Sequence, residues 1–157
     1  MSEIKIIAAI DSKRGLAKAG KIPWNLPADR SYFRKHVEDG PVAMGWNTYV
    51  SNKYKPYGKG KNIIFTRQRE KPDDVAISKD AIRFFSKLKE DIWVAGGGQV
   101  YKAALPYATH LYLTRVEGNF QCDVFFPEFE DKFKLAHKEK LKTENNTKYQ
   151  FEIWERK

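Results

Sequence analysis

Asp91-Ile92-Trp93-Val94-Ala95-Gly96-Gly97-Gly98-Gln99-Val100-Tyr101 is the stretch whose reading decides the fold. Residues 91–95 form the short apolar run of a buried strand, and a helix is expected from Gln99 to about Leu105. Three glycines between them make a strand–helix junction of the length used in α/β sheets. Ligands bind at the carboxyl ends of such strands; glycine lets backbone approach them closely, and helix starts attract phosphate. Three glycines can also be a plain turn, but at this junction they favour a ligand site. The pattern is not GxGxxG, so a standard dinucleotide-binding fold is not implied.

Toward the N-terminus, Met44-Gly45-Trp46-Asn47-Thr48 repeats the arrangement: a buried strand over 41–44, a glycine, then a short helix from about Asn47. Two such junctions in one small sheet point to a ligand with two phosphates. Further strands are expected over 3–10, 62–66, 75–77 and 110–116, and helices over 27–38 and 79–88. Two last strands, near 133–140 and 149–155, are joined by Glu144-Asn145-Asn146-Thr147 and read as a hairpin. The class is α/β: a mostly parallel sheet covered on both faces, with an antiparallel hairpin added.

Composition agrees with one domain over residues 1–157. The chain is 41% hydrophobic and 14% aromatic, which argues against disorder. No apolar run approaches the roughly 20 residues of a membrane span, and the first residues lack a secretion signal, so a cytoplasmic protein is expected. Cys122 is alone, excluding an internal disulfide, and reads as a small packed hydrophobe. His36, His110 and His137 have no metal-ligand spacing, so no metal is expected, and nucleophile elbows and P-loops are missing. The net charge of +9 favours anionic partners. It concentrates in 12–35, with seven basic residues against Asp29, and in 51–71, with seven against Glu70.

Asp29, Phe33 and Val37 are spaced to share one face of the first helix. A carboxylate on an inward face needs hydrogen-bond partners. One in the first helical turn can equally complement the helix dipole, and spacing alone leaves both readings open. The long preceding loop, 11–27, is rich in glycine and proline and ends in Ile22-Pro23-Trp24-Asn25-Leu26-Pro27. Core packing under a loop and a lid over a pocket are both consistent with it.

Together these segments resemble dihydrofolate reductase over essentially the whole chain. The resemblance is carried by residues 15–24 (GLAKAGKIPW), Leu26-Pro27-Ala28-Asp29, Pro41-Val42-Ala43-Met44-Gly45, Lys61-Asn62-Ile63-Ile64 and Thr66-Arg67. It continues through Ala95-Gly96-Gly97-Gly98-Gln99-Val100-Tyr101, Tyr112-Leu113-Thr114, Asp123-Val124-Phe125-Phe126-Pro127 and the ending FEIWER over 151–156. It implies a twisted, mainly parallel eight-stranded sheet with four flanking helices, and NADPH-dependent reduction of 7,8-dihydrofolate to tetrahydrofolate.

By that resemblance Asp29 is the pterin-binding carboxylate, held by Thr114. Ile22 and Trp24 belong to the mobile loop over the nicotinamide, and Tyr101 sits where the two rings meet. Ile7, Ala8 and Ala95 line the substrate, Phe33 packs on it, and Tyr57 lies beside it. Ala9, Leu16, Gly45, Trp46, Asn47, Thr48, Thr66, Arg67 and Gln68 fall on the cofactor side. Gly96, Gly97, Gly98, Gln99, Val100 and Tyr101 complete that side, with Gly96-Gly97 matching the family's cis peptide. Antifolate inhibitors and a monomeric state are expected in the same way.

The chain departs from the family pattern at several points. Gly60 replaces an arginine that grips the substrate's glutamate tail, and Arg30 replaces an apolar residue. Arg30, Arg34 and Lys55 are therefore the candidates for that tail. Trp46-Asn47 stand where a basic residue is common beside the cofactor's 2′-phosphate. Alternatives are a reductase of a pteridine lacking the tail and a basic nucleic-acid-binding protein. The second is suggested by Lys53-Tyr54-Lys55-Pro56-Tyr57 but leaves the glycine junctions and Asp29 unexplained.

Overall fold

Strand β1 (Ile4–Ile10) sets the layering of the molecule. Its side chains alternate between faces, so Ile4, Ile6, Ala8 and Ile10 enter one apolar cluster while Ile7 enters another. A strand apolar on both sides must lie inside the sheet. The computed structural model describes residues 2–67 and 76–157.

The remaining strands are β2 (Gly15–Ala17), β3 (Val42–Gly45), β4 (Asn62–Phe65), β5 (Ala76–Ser78) and β6 (Ile92–Val94). They are followed by β7 (His110–Val116), β8 (Val124–Phe125), β9 (Phe133–Lys138), β10 (Lys142–Glu144) and β11 (Thr147–Arg156). The helices are α1 (Pro27–Val37), α2 (Trp46–Ser51), α3 (Ala81–Lys87) and α4 (Gly98–Ala104). The main sheet runs β10-β11-β7-β1-β6-β3-β4-β5. From β7 to β5 every neighbour pair is parallel; β11 is antiparallel to β7.

This is the expected α/β architecture of eight sheet positions and four helices, with three refinements. The outer edge holds two strands end to end, because β9 pairs with residues 152–156 of β11 and β10 with 147–149. The hairpin is therefore β10–β11, turned by Asn145 (φ 51°) and Asn146 (φ 61°), while the expected strand over 133–140 stops at Lys138. Asparagine tolerates this left-handed geometry, which matches the twist of the flanking strands. Second, α2 begins at Trp46, and α3 begins at Ala81 because the Asp80 side chain accepts from Arg83 N at 3.1 Å. Third, the loop over 11–27 carries β2, which pairs with β8 as a separate ribbon. Of the strand expected over 75–77, Val75 lies outside the described residues.

α3 and α4 cover one face of the sheet through Phe85, Val100, Tyr101 and Ala104. On the other face lie Val37 of α1 and Tyr49 of α2. A third cluster, Trp24, Leu26, Val116, Tyr149 and Phe151, lies beneath the end of the long loop. β3, β6 and β1 thus stand side by side, and two glycine junctions open at the ends of neighbouring strands. Among the described residues no helix is long and apolar enough to cross a membrane.

Candidate active site

Pro27 fixes the first turn of α1, as its position predicts, and sets Asp29 in that turn. Val37, two turns further along the same face, is fully buried, so the face points inward. Asp29 is half-buried, and its Oδ1 accepts a 2.6 Å hydrogen bond from the Thr114 hydroxyl. Thr114 is buried on β7, level with Ala9 of β1. Burial pushes the Asp29 carboxyl above the usual carboxylate range; the Thr114 bond and the Arg30 charge pull it down, and Glu144 pushes it further up. The inward-facing reading is the correct one.

Tyr101 links this acid to the triple glycine. Its hydroxyl donates to Ile7 O at 2.7 Å, joining α4 to the central strand. A Cβ on Gly96 (φ +114°) would stand 3.1 Å from that hydroxyl, so only glycine fits there without strain. Burial holds the Tyr101 phenol protonated, and the charge of Asp29 adds to the effect. Asp29, through Thr114 near the end of β7, and the glycine turn, just past the end of β6, therefore both lie at the carboxyl-end edge of the parallel strands, reached from opposite faces of the sheet.

The peptide between Gly96 and Gly97 is cis, as expected. Gly45 N donates to Gly96 O at 2.7 Å, stitching the two junctions together. A Cβ on Gly97 would meet only Thr48 Oγ1, at 3.7 Å. The Thr48 hydroxyl thus stands beside the start of α4, whose cap residue Gly97 supplies no side chain. Val124 of β8 and Leu16 of β2 pack over Gly98: a Cβ there would lie 2.8 Å from Val124 Cγ1 and 3.8 Å from Leu16 Cδ1.

Trp24 is buried and meets Phe120 edge-on at 5.2 Å, whereas Ile22 is 64% exposed. Phe33 meets the half-buried Tyr57 edge-on at 5.1 Å. Burial raises the Tyr57 phenol's pKa, and the Arg34 charge opposes it. Arg34 is exposed on α1 with its charge within reach of Tyr57, while Arg30 Nη1 donates to Asn25 Oδ1 at 3.0 Å. Lys55 and Arg67 are exposed, as are Asn47 and Gln99, and Trp46 is half-buried against Tyr49. Ala8 and Ala95 are buried, and Thr66 N donates to Ser78 O at 3.0 Å. Gln68 lies outside the described residues.

Two groups escape sequence reasoning. Asp11, at the end of β1, is 1% exposed. It accepts from Gly15 N (2.7 Å), Lys13 N (2.8 Å), Phe120 N (3.0 Å) and the Cys122 thiol (3.6 Å). It thereby ties the loop over 11–27 to the loop before β8. An aspartate four residues before a glycine at a strand end was the available signal. Glu144, on the far hairpin, accepts from Ala28 N at 3.0 Å. Nothing in the sequence links positions so far apart.

A sequence profile described as Dihydrofolate reductase matches residues 3–156. The chain belongs to the dihydrofolate reductase family. It is 35% identical to a dihydrofolate reductase of Bacillus subtilis, over 98% of this chain and 95% of that one. It is 32% identical to one of Haemophilus influenzae (92% and 91%) and 30% identical to one of Aedes albopictus (99% and 98%). The family comprises oxidoreductases that use NADPH.

Proposed function

We propose that the chain reduces 7,8-dihydrofolate to tetrahydrofolate with NADPH, and that Asp29 is the acid of the substrate pocket. The observation that carries this reading is a half-buried carboxylate of raised proton affinity, held by Thr114 at the same carboxyl-end edge of the parallel strands as the glycine turn. When bound, NADPH supplies the hydride for the imine carbon of the pterin, and a proton must reach the adjacent nitrogen.

Every other part of the task falls to the chain. An ionised Asp29 can accept two parallel N–H bonds from the amidine edge of a pterin. The Thr114 hydroxyl anchors its Oδ1. Its raised proton affinity lets it take up a proton more readily than a free carboxylate and favour protonation of the ring, with water as the carrier. Trp24 excludes bulk water from this side. The side-chain-free Gly97 and the Thr48 hydroxyl beside it suit phosphate oxygens, and Thr66 and Arg67 lie at the next strand end for the adenosine half.

For the glutamate tail, Gly60 offers nothing and leaves no room: a Cβ there would come within 3.0 Å of Asp39 O and the Gly40 backbone. Arg34, whose charge reaches Tyr57, and Arg30, held by Asn25, are the guanidinium candidates for the tail. Replacing either by leucine raises KM for dihydrofolate about tenfold, the worth of one charged hydrogen bond. The second reading, a pteridine without the tail, is favoured by the packed Gly60. It predicts unchanged KM in both variants and equal turnover of a tail-less dihydropterin.

The deciding experiment is loss of NADPH absorbance on adding dihydrofolate, compared between wild type and Asp29→Asn. Oxidation that is absent in the wild type, or equal in both proteins, rejects the assignment.

A further inference from the structure

Glu144 stands outside every role given above, yet it is the only acid brought to Asp29 by a different element among the described residues whose charge reaches it. It closes β10, one residue before the Asn145-Asn146 turn, and is half-buried. Its Oε1 accepts from the backbone N–H of Ala28, the residue immediately before Asp29. The next hairpin residue, Asn145, donates from Nδ2 to Asn25 O at 2.9 Å. Two adjacent hairpin side chains thus grip the segment that carries both Trp24 and Asp29. Leu26, the cap residue of α1, provides no side-chain acceptor of its own. The helix start takes one from 116 residues away.

A neutral side chain with an oxygen acceptor would serve that hydrogen bond. A carboxylate does more, because it places a negative charge one residue from a second carboxylate in a partly desolvated site. We propose that Glu144 is a positioning residue for the reduction: it pins the first turn of α1 by the Ala28 N–H and sets a fixed negative charge beside Asp29.

Like charges at short range disfavour double ionisation, so this charge makes Asp29 harder to deprotonate. The other groups around Asp29 are Thr114 on β7 and Arg30 on its own helix, both favouring ionisation. The phenols of Tyr32 on α1, Tyr101 on α4 and Tyr149 on β11 all sense its charge. Tyr149, whose strand pairs with that of Glu144, senses Glu144 as well. Arg30 and Glu144 thus act on Asp29 in opposite directions.

The inference rests on Asp29 being the acid of the reaction, and its test separates the two. The pH dependence of the single-turnover hydride-transfer rate is measured for the full chain as wild type, Glu144→Gln, Glu144→Lys and Asp29→Asn. A reaction needing the protonated acid is flat at low pH and falls as the acid ionises. Glutamine keeps an acceptor for Ala28 N–H and removes only the charge. In Glu144→Gln the fall moves to lower pH by a few tenths of a unit, and in Glu144→Lys it moves further in the same direction. Raising the salt concentration narrows the difference between wild type and Glu144→Gln.

If the profiles of both Glu144 variants superimpose on wild type while Asp29→Asn abolishes the fall, the charge of Glu144 is irrelevant and this inference is overturned alone. If Asp29→Asn keeps the wild-type fall, the assignment of Asp29 is overturned and the role of Glu144 goes with it. A fall that moves to higher pH in Glu144→Gln also overturns the inference, because the sign is wrong.

Discussion

Asp11 and Asp29 are both carboxylates withdrawn from water beside the long loop, and their surroundings send them in opposite directions. Burial pushes both toward protonation. At Asp11 the N–H groups of Phe120, Gly15 and Lys13, with the Cys122 thiol, outweigh burial and hold the carboxyl below its usual range. At Asp29 one threonine hydroxyl and the Arg30 charge do not, and the acid stays raised. Donor count, more than depth, separates a permanent anion that fastens loops from a proton-exchanging group that meets substrate.

The largest expected effect tests the second half of that contrast. Asp29→Asn lowers kcat/KM for dihydrofolate about 10²- to 10⁴-fold, the usual share of a positioned acid–base group. It does not unfold the protein. A raised folded-state pKa gives stability that is present at low pH and lost as pH rises through that pKa. Asparagine removes this liability, so the thermal midpoint at pH 8 stays level or rises. A lower midpoint would show that Asp29 also holds the fold together.

Asp11→Asn tests the first half and inverts the pattern. It leaves buried N–H donors poorly matched and costs about 2–4 kcal/mol by chemical denaturation. A depressed folded-state pKa gives stability that is present above the unfolded value and lost as pH falls. The mutant is therefore most destabilised near neutrality and approaches wild type in acid. An equal deficit at every pH would mean that shape, and not charge, is what the site requires.

Thr114→Val sharpens the comparison by reducing Asp29 to no side-chain donor. With the 2.6 Å bond gone, the Asp29 pKa rises further, so the fall in rate moves to higher pH while KM increases about tenfold. An unmoved profile would break the argument from donors. Cys122→Ala is the smallest case. Its thiol is a weak donor at 3.6 Å, so stability changes by less than about 1 kcal/mol. With the thiol pushed up to about 11, wild-type Cys122 also reacts slowly with iodoacetamide at pH 8.

The parts of the molecule legible in sequence are those in which local pattern and tertiary demand agree. β7 begins and ends where alternation places it, and α1 begins at Pro27 because proline suits the first helical position. The central strands were readable as continuous apolar runs because both faces are covered. β2 and β8 were not, because two- and three-residue strands carry no period. The split outer edge depends on a register shift between Ile153 and Trp154 that no local signal marks. Within the site, Asp29 and the glycine turns announced themselves, and Thr114 and Tyr101 came only through the family resemblance. Asp11 and Glu144 act across separations of more than a hundred residues, and a single sequence is silent about such partners.

That split edge has a bearing on how the protein behaves when crowded. A passing extended chain joins a sheet by laying a long run of amides along an unpaired border. Here the border offers the six residues of β9, then a break, then the three of β10. Lys138 and Lys140 crowd the interruption, beside Lys142, which pairs with Glu139 at 3.6 Å. A stranger docking there would have to bend around the gap and neutralise several cations at once, so concentrated solutions are guarded against fibre growth on the side where the hairpin was appended.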